Sequence, residues 1–263
     1  MAMSQRYGDL LRKLRTDRGL SQLGLASIAG VSTRHLSFLE TGRSAPSRDM
    51  IEQLCEALEV PLRDRNPMLV AAGYAPSYAA RSFDAPELAG VRAVVSRWIA
   101  AQDPFPAIVL DRSHDVVMLS PAAERWFGLV FDGPIPPHLG RNLAGILFHP
   151  DGLRSAIRNF DVVASVLVRR MRRETTNPHE AAMLEAMIAS LLVGVRLDVP
   201  TPDVPVVAVE WEVRGERVDT VSTIATLGSA ADATVSELRI ETVLPSDAES
   251  ERRMRRLSAS ASQ

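Results

Sequence analysis

The sequence predicts two folding units: an all-α unit of five short helices, then an α+β unit in which helices cover an antiparallel sheet. Three observations predict this division. Apolar residues at helical spacing, started by serine and stopped by glycine, fill residues 1–73. Short strand-like apolar runs begin only at 107–119, and period-two alternation follows in the last quarter of the chain. Charge divides as well: the first 48 residues hold eight Lys or Arg against three Asp or Glu, a balance of +5, while the whole chain carries -2, which leaves -7 for the remainder. A basic head on an acidic body points to an anionic partner for the head, the alternative being a solvated face.

Composition excludes several classes. A chain of 263 residues, 46% hydrophobic and 24% charged, is neither disordered throughout nor too small for its own core. The lone Cys55 excludes an internal disulfide framework and cysteine-based zinc sites. Apolar runs such as Val162 to Val168 end in arginine, far short of the roughly eighteen residues of a membrane span. The N-terminus interleaves charge with leucine instead of presenting the apolar core of a signal peptide. A cytoplasmic protein without a membrane partner is expected.

In the head, Leu10, Leu11 and Leu14 share one helical face, closed by Gly19. Ser21 caps a second helix with Leu23, Ala26 and Ala29 on its apolar stripe, and Gly30 supplies the left-handed stop. Ser32 caps a third helix, in which Leu36 and Leu39 face inward. Ser47 caps a fourth, through Leu58, with Ile51, Leu54, Cys55 and Leu58 buried. Asn66 and Pro67 read as the N-cap and first position of a fifth, stopped by Gly73. Residues 74–86 lack periodicity and read as a linker.

The body opens with a helix from Glu87 to Ala101, with Val91, Val94, Val95, Trp98 and Ile99 as its buried stripe. Strands are predicted over Ala107 to Leu110 and Val116 to Leu119, then a short helix from Pro121. A long helix spans Asn159 to Asn177 with Phe160, Val163, Leu167 and Met171 at helical spacing, and another carries Met183, Leu184, Met187, Ile188 and Leu191. Three antiparallel strands follow, "VPVVAVEWEVRG", "ERVDTVSTIATLG" and "TVSELRIETVLP", the first two joined by a tight turn at Gly215. The body domain is bounded at 87–247, and the tail 248–263, with little apolar content, reads as disordered.

Two helices joined by "AGVS" are the sequence form of a helix-turn-helix. In that geometry the N-terminal residues of the second helix face base edges, here Ser32, Thr33 and Arg34, with Ser37 and Phe38 one turn on. A guanidinium at Arg34 fits guanine O6 and N7, and it fits a backbone phosphate equally well. Gln22 and Arg43 suit phosphate contacts, and Arg15 with Glu40 is read as a structural ion pair. The segment "LRKLRTDRGLSQLGLASIAGVSTRHLSFLETGRSAPS" resembles the XRE (Cro/C1-type) helix-turn-helix through "RGLSQ", "AGVS" and "LETGR". That resemblance implies a phosphate-clamping role for Gln22, base-facing positions for Ser32, Thr33, Arg34 and Phe38, and an internal Arg15–Glu40 salt bridge. Phe38 stands where many relatives carry a polar reader, and Gly24 replaces a common acidic residue.

In the body, "DPFPAIVLDRSHDVVMLSPAAERWFG", "NLAGILFHPDGLRSAIRNF" and "STIATLGSAADATVSELRIETVLPSD" are similar to the ligand-binding domain of MmyB-like transcription regulators. This similarity implies a PAS-like fold and a pocket for an apolar small molecule, with fatty acids as the suggested class and no required cofactor. Phe105, Trp126, Phe148, Phe160, Val163, Leu167, Met187 and Trp211 are candidate lining residues, plain core being the alternative for each. Arg158, Asn159 and Arg170 are candidate anchors for a ligand carboxylate, the alternative being solvated surface. The five histidines show no spacing of the HxxxH kind, and nucleophile and phosphate-loop motifs are absent. No metal and no enzymatic activity are expected. The reading is a DNA-binding transcription regulator, expected to repress, working as a homodimer on a palindromic double-stranded operator under control of an apolar effector. Its alternative is a regulator whose body only dimerises.

Overall fold

The structure is a computed structural model that describes residues 2–175, 178–200, 204–228 and 230–260. It divides into two compact units, one of residues 1–85 with 227–237, the other of 86–226 with 238–263.

The first unit contains α1 (Ala2–Asp17), α2 (Gln22–Ile28), α3 (Thr33–Glu40), α4 (Arg48–Ala57) and α5 (Leu62–Ala71). Serine hydroxyls start three of them: Ser21, Ser32 and Ser47 accept the N–H of Gly24, His35 and Met50, satisfying donors that a helix N-terminus otherwise leaves open. Gly30 turns the chain between α2 and α3 at φ +64°, which a β-carbon would strain. Gly8 acts through space, because a Cβ there would lie 2.6 Å from the carbonyl oxygens of Leu39 and Glu40. The backbones of α1 and α3 therefore touch, and Tyr7, Leu11, Leu25, Leu36, Leu39, Ile51, Leu54 and Leu69 close a dry core around them.

Three expectations for this unit need correction. Leu23 is 69% exposed, and Leu25 takes its place beside Ala26 and Ala29. Helix α5 begins at Leu62 behind Pro61 and carries Pro67 inside. Asn66 caps nothing; its amide donates to the Tyr78 carbonyl, and its oxygen accepts the N–H groups of Ser77 and Tyr78. Those bonds, with Tyr74 Oη donating to the Pro46 carbonyl, place the linker from residue 74 to 85 within the helical unit.

The third correction concerns "TVSEL". Residues 233–237 form a helix, α11 (Ala233–Glu237), because the Asp232 carboxylate accepts the N–H groups of Thr234 and Val235 and so caps a helical turn that β-branched residues disfavour. Arg63 of α5 holds Glu237 through two bonds of 2.9 and 2.8 Å, and Thr234 is bonded to the backbone of Arg81.

The second unit begins with α6 (Ala89–Ala100), whose buried stripe is narrower than its pattern: Val95 and Ile99 are covered, Val94 and Trp98 are not. Strands β1 (Ala107–Leu110) and β2 (Val116–Leu119) lead to α7 (Pro121–Phe131), capped by Ser120, and α8 (Leu143–Phe148), capped by Asn142. Then come α9 (Phe160–Glu174) and α10 (Pro178–Leu191); Thr176 and Asn177 of the expected long helix lie outside the described residues. Strands β3 (Val209–Val213) and β4 (Glu216–Ala225) form a hairpin over Arg214 and Gly215, at φ +52° and +78°, the two left-handed residues of a type I′ turn. Strand β5 (Arg239–Pro245) completes a five-stranded antiparallel sheet of order β2-β1-β5-β4-β3.

The tail also departs from its reading. Residues 248–260 form α12 (Ala248–Ser260), packed on β4, β5 and α7, while 261–263 lie outside the described residues. Only Met254 and Leu257 supply its apolar face. Asp247 caps its N-terminus, and Glu249–Arg253 and Glu251–Arg255 pairs line its exposed side.

Candidate functional site

In the helical unit the chemistry converges on Glu40. Its side chain is fully buried at the end of α3 and accepts Arg15 Nε (2.6 Å) and Nη2 (3.0 Å) from α1, a bidentate pair. Gln22 donates its amide at 2.8 Å to Oε2, the oxygen that also accepts Arg15 Nη2, and Arg12 donates to the Glu40 carbonyl at 3.0 Å. Burial pushes the Glu40 carboxyl up, but the hydrogen bonds from Arg15 and Gln22 and the charges of Arg15 and Arg12 outweigh it, and the group sits below the usual carboxylate range. One polar knot thus fixes α1, α2 and α3 against each other. Arg12 has no sequence signal of its own; it reaches Glu40 because Gly8 lets the helices approach.

The outward face of α3 carries the expected readers. Arg34 is exposed, with its guanidinium 5.3 Å from the Phe38 ring centroid, so the two act as one stacked surface. Thr33, Ser37 and Phe38 are half-buried and Arg43 is exposed. Ser32 caps α3 as its position requires, its hydroxyl accepting the His35 N–H, and Gln22 has a duty beyond the one expected, with one amide N–H committed to Glu40.

In the sheet unit a cavity of about 400 Å³ lies between the sheet and α7, α8 and α9, within the size range of small-molecule sites. Trp126, Val163, Leu167, Arg170 and Trp211 line it, as do Leu143, Leu147, Val166, the 204–207 segment, Ser222, Glu241 and Val243. Trp126 and Trp211 meet edge to face at 5.7 Å. Trp211 Nε1 donates to the buried Thr220 hydroxyl at 2.8 Å, whereas Trp126 Nε1 is buried with no hydrogen-bond partner among the described residues. Arg170 Nη2 donates to Glu241 Oε1 at 2.6 Å, and its Nε, 3.9 Å from Glu174, makes no hydrogen bond among the described residues.

Behind Arg170 the polar groups form a chain. Glu174 Oε2 lies 2.9 Å from Arg239 Nη1 and 3.1 Å from the Nε2 of the buried His114. Burial raises the Glu174 carboxyl, yet the His114 hydrogen bond and the charges of Arg239 and Arg170 prevail and hold it below its ordinary range.

Residues 91–257 match the family described as the MmyB-like transcription regulator ligand binding domain. The chain belongs to the MmyB-like transcription regulators. Residues 6–68 match a helix-turn-helix domain. This MmyB-like chain is 32% identical over 124 residues to the uncharacterized HTH-type transcriptional regulator Rv0023 of Mycobacterium tuberculosis, covering 44% of this chain and 42% of that protein. It is 36% identical over 66 residues to the transcriptional regulator ClgR of M. tuberculosis, 25% of this chain and 56% of that one. It spans less than half the length of the first of these curated relatives. Among solved structures it is similar to the restriction-modification controller protein C.AhdI from Aeromonas hydrophila (34% identity, 25% of this chain and 98% of that one, TM-score 0.24). It is also similar to the clp gene regulator ClgR from C. glutamicum (33%, 27% and 87%, TM-score 0.24). No helix among the described residues is long and apolar enough to cross a membrane.

Several candidate ligand residues of this MmyB-like domain are placed elsewhere. Phe148 is fully buried against Phe160 at 6.2 Å, and both are core. Phe105 carries the Arg255 guanidinium over its ring, and Met187 packs on the core from α10. Arg158 makes an exposed pair with Glu212. Asn159 is a backbone clamp: it donates to the Ala208 carbonyl at 2.8 Å and accepts the Glu210 N–H at 3.1 Å, aligning β3. Of the three proposed anchors, only Arg170 borders the cavity.

Proposed function

We propose that this chain is a sequence-specific DNA-binding transcription regulator that works in the cytoplasm as a homodimer on a palindromic operator. Its sheet unit binds a small apolar effector that alters operator affinity. Arg34 and Phe38 read bases, while Gln22, through its remaining N–H, and Arg43 hold phosphates. A single short helix makes few base contacts, so two heads on paired half-sites supply the specificity. The observation that carries the effector reading is the cavity, which combines apolar walls with two buried donors that have no hydrogen-bond partner among the described residues, Trp126 Nε1 and Arg170 Nε.

A fatty acid is the class the family resemblance implies, with Arg170 as its anchor. The Arg170–Glu241 pair favours a refinement. With Glu241 neutralising the guanidinium at 2.6 Å, a carboxylate entering the cavity meets no net positive charge from this pair, whereas an ester, amide or alcohol supplies acceptors without adding charge. Transmission follows the chain: β5, which bears Glu241, directly succeeds α11, which is held by Arg63 of α5.

Native mass spectrometry of the purified full chain, followed by titration with a fatty acid and with its methyl ester, tests this reading. A stoichiometric apolar adduct on a dimer, or saturable binding of either probe with an equal and reciprocal change in operator affinity, is expected. A ligand-free dimer indifferent to both probes would leave a body that only pairs the heads.

A further inference from the structure

We propose that His138, His149 and Asp151 form a binding site for a divalent transition metal of the zinc class. One ligand atom from each of the three lies within 4.8 Å of the others. Asp151 Oδ2 is 3.3 Å from His138 Nε2 and 3.8 Å from His149 Nδ1. Tetrahedral zinc with metal–ligand bonds near 2.05 Å has ligand–ligand edges of about 3.3 to 3.4 Å, so the three groups stand close to a coordination face with small side-chain motions to make. Two imidazoles and one carboxylate suit this class better than calcium or magnesium, which prefer all-oxygen sets. The site leaves a fourth position open to water.

Backbone packing brings these residues together across a separation that no local motif encodes. His138 sits in the short turn 137–139 after Pro136, and His149 ends α8. These two segments touch at Gly145, where a Cβ would lie 2.6 Å from the Leu139 carbonyl oxygen. Gly152 closes the following turn so tightly that a Cβ would fall 2.2 Å from the Ile146 oxygen. The chain therefore fixes the roots of all three side chains while their tips remain at the surface. The rings of His138 and His149 meet edge to face at 5.3 Å.

The Asp151 N–H donates to His149 Nδ1 at 3.1 Å, so a metal at that nitrogen has to displace this hydrogen bond. Metal binding there exchanges one neutral hydrogen bond for a metal–nitrogen bond. Asp151 contributes the only formal negative charge, which makes the site cationic when filled.

Isothermal titration of the tag-free, full-length protein with zinc alone, and visible absorption after adding cobalt alone, test the site. One ion per chain is expected, with cobalt absorption of the intensity typical of four- or five-coordinate nitrogen–oxygen sites. His149→Ala and Asp151→Asn should each weaken binding by more than about tenfold, while His35→Ala should not. These side chains are at least partly exposed, so the variants are expected to keep the wild-type melting curve. Absence of zinc binding in the wild type, or equal binding by wild type and the double variant His138→Ala with His149→Ala, would overturn the proposal and leave an incidental surface cluster.

Discussion

Glu40→Gln is expected to destabilise the helical unit by about 3–5 kcal/mol, the usual cost of removing one partner from a buried ion pair. The reason lies in what remains. Arg15, whose side chain is 10% exposed, would keep its charge with only the Leu20 carbonyl and a neutral amide to receive it, and Gln22 would lose its charged acceptor. Urea unfolding of the full chain, followed by a probe in the helical unit, measures the loss. The pH dependence has a definite sign. The folded carboxyl of Glu40 lies below its unfolded value, so its contribution is complete above the ordinary carboxylate pKa of about 4.3 and disappears as pH falls through the lowered value. Wild type should lose stability through that acid range, and Glu40→Gln should show a shallower acid limb. A loss below about 1 kcal/mol would mean that the knot is not holding the three helices.

Glu241→Gln is expected to reverse ligand preference in the cavity. In the wild type the Arg170 charge is matched by a carboxylate that is itself 8% exposed. Replacing that carboxylate by an amide leaves a cation on the cavity wall, and a fatty acid can then supply the missing charge. We expect fatty-acid affinity to rise by about tenfold or more, roughly 1.4 kcal/mol, with little change for the methyl ester, while the unliganded protein becomes less stable. Paired titrations of both probes against both proteins provide the readout. Equal changes for acid and ester would show that Glu241 shapes the cavity sterically, without governing its charge. Because β5 is continuous with α11, the same variant should also shift operator affinity in the ligand-free state.

Much of the fold was legible where local chemistry decides it. Serine caps marked the starts of α2, α3 and α4, and two short apolar runs joined by a polar turn marked β1 and β2 at the residues where they occur. Legibility failed where distant partners decide. Helix α12 has only Met254 and Leu257 as a buried face, too little to signal order until β4 and β5 are there to receive it. In α11 a single capping aspartate overrides residues that favour strand. Cavity and core draw on the same apolar residue types, so nothing in composition separates Trp126, which lines the space, from Phe148, which fills the core beside it. His138 and His149 are brought together by glycine contacts, and no spacing rule anticipates that.

Selection of bound duplexes from a random pool, with this chain and with Arg34→Ala, shows whether α3 reads DNA sequence. Wild type should enrich inverted half-sites about one helical turn apart, and the variant should lose preference at one position in each half-site, at about 1–3 kcal/mol per contact. Enrichment of the same sequences by both proteins would reduce Arg34 to a phosphate contact, and no enrichment by wild type would contradict the account.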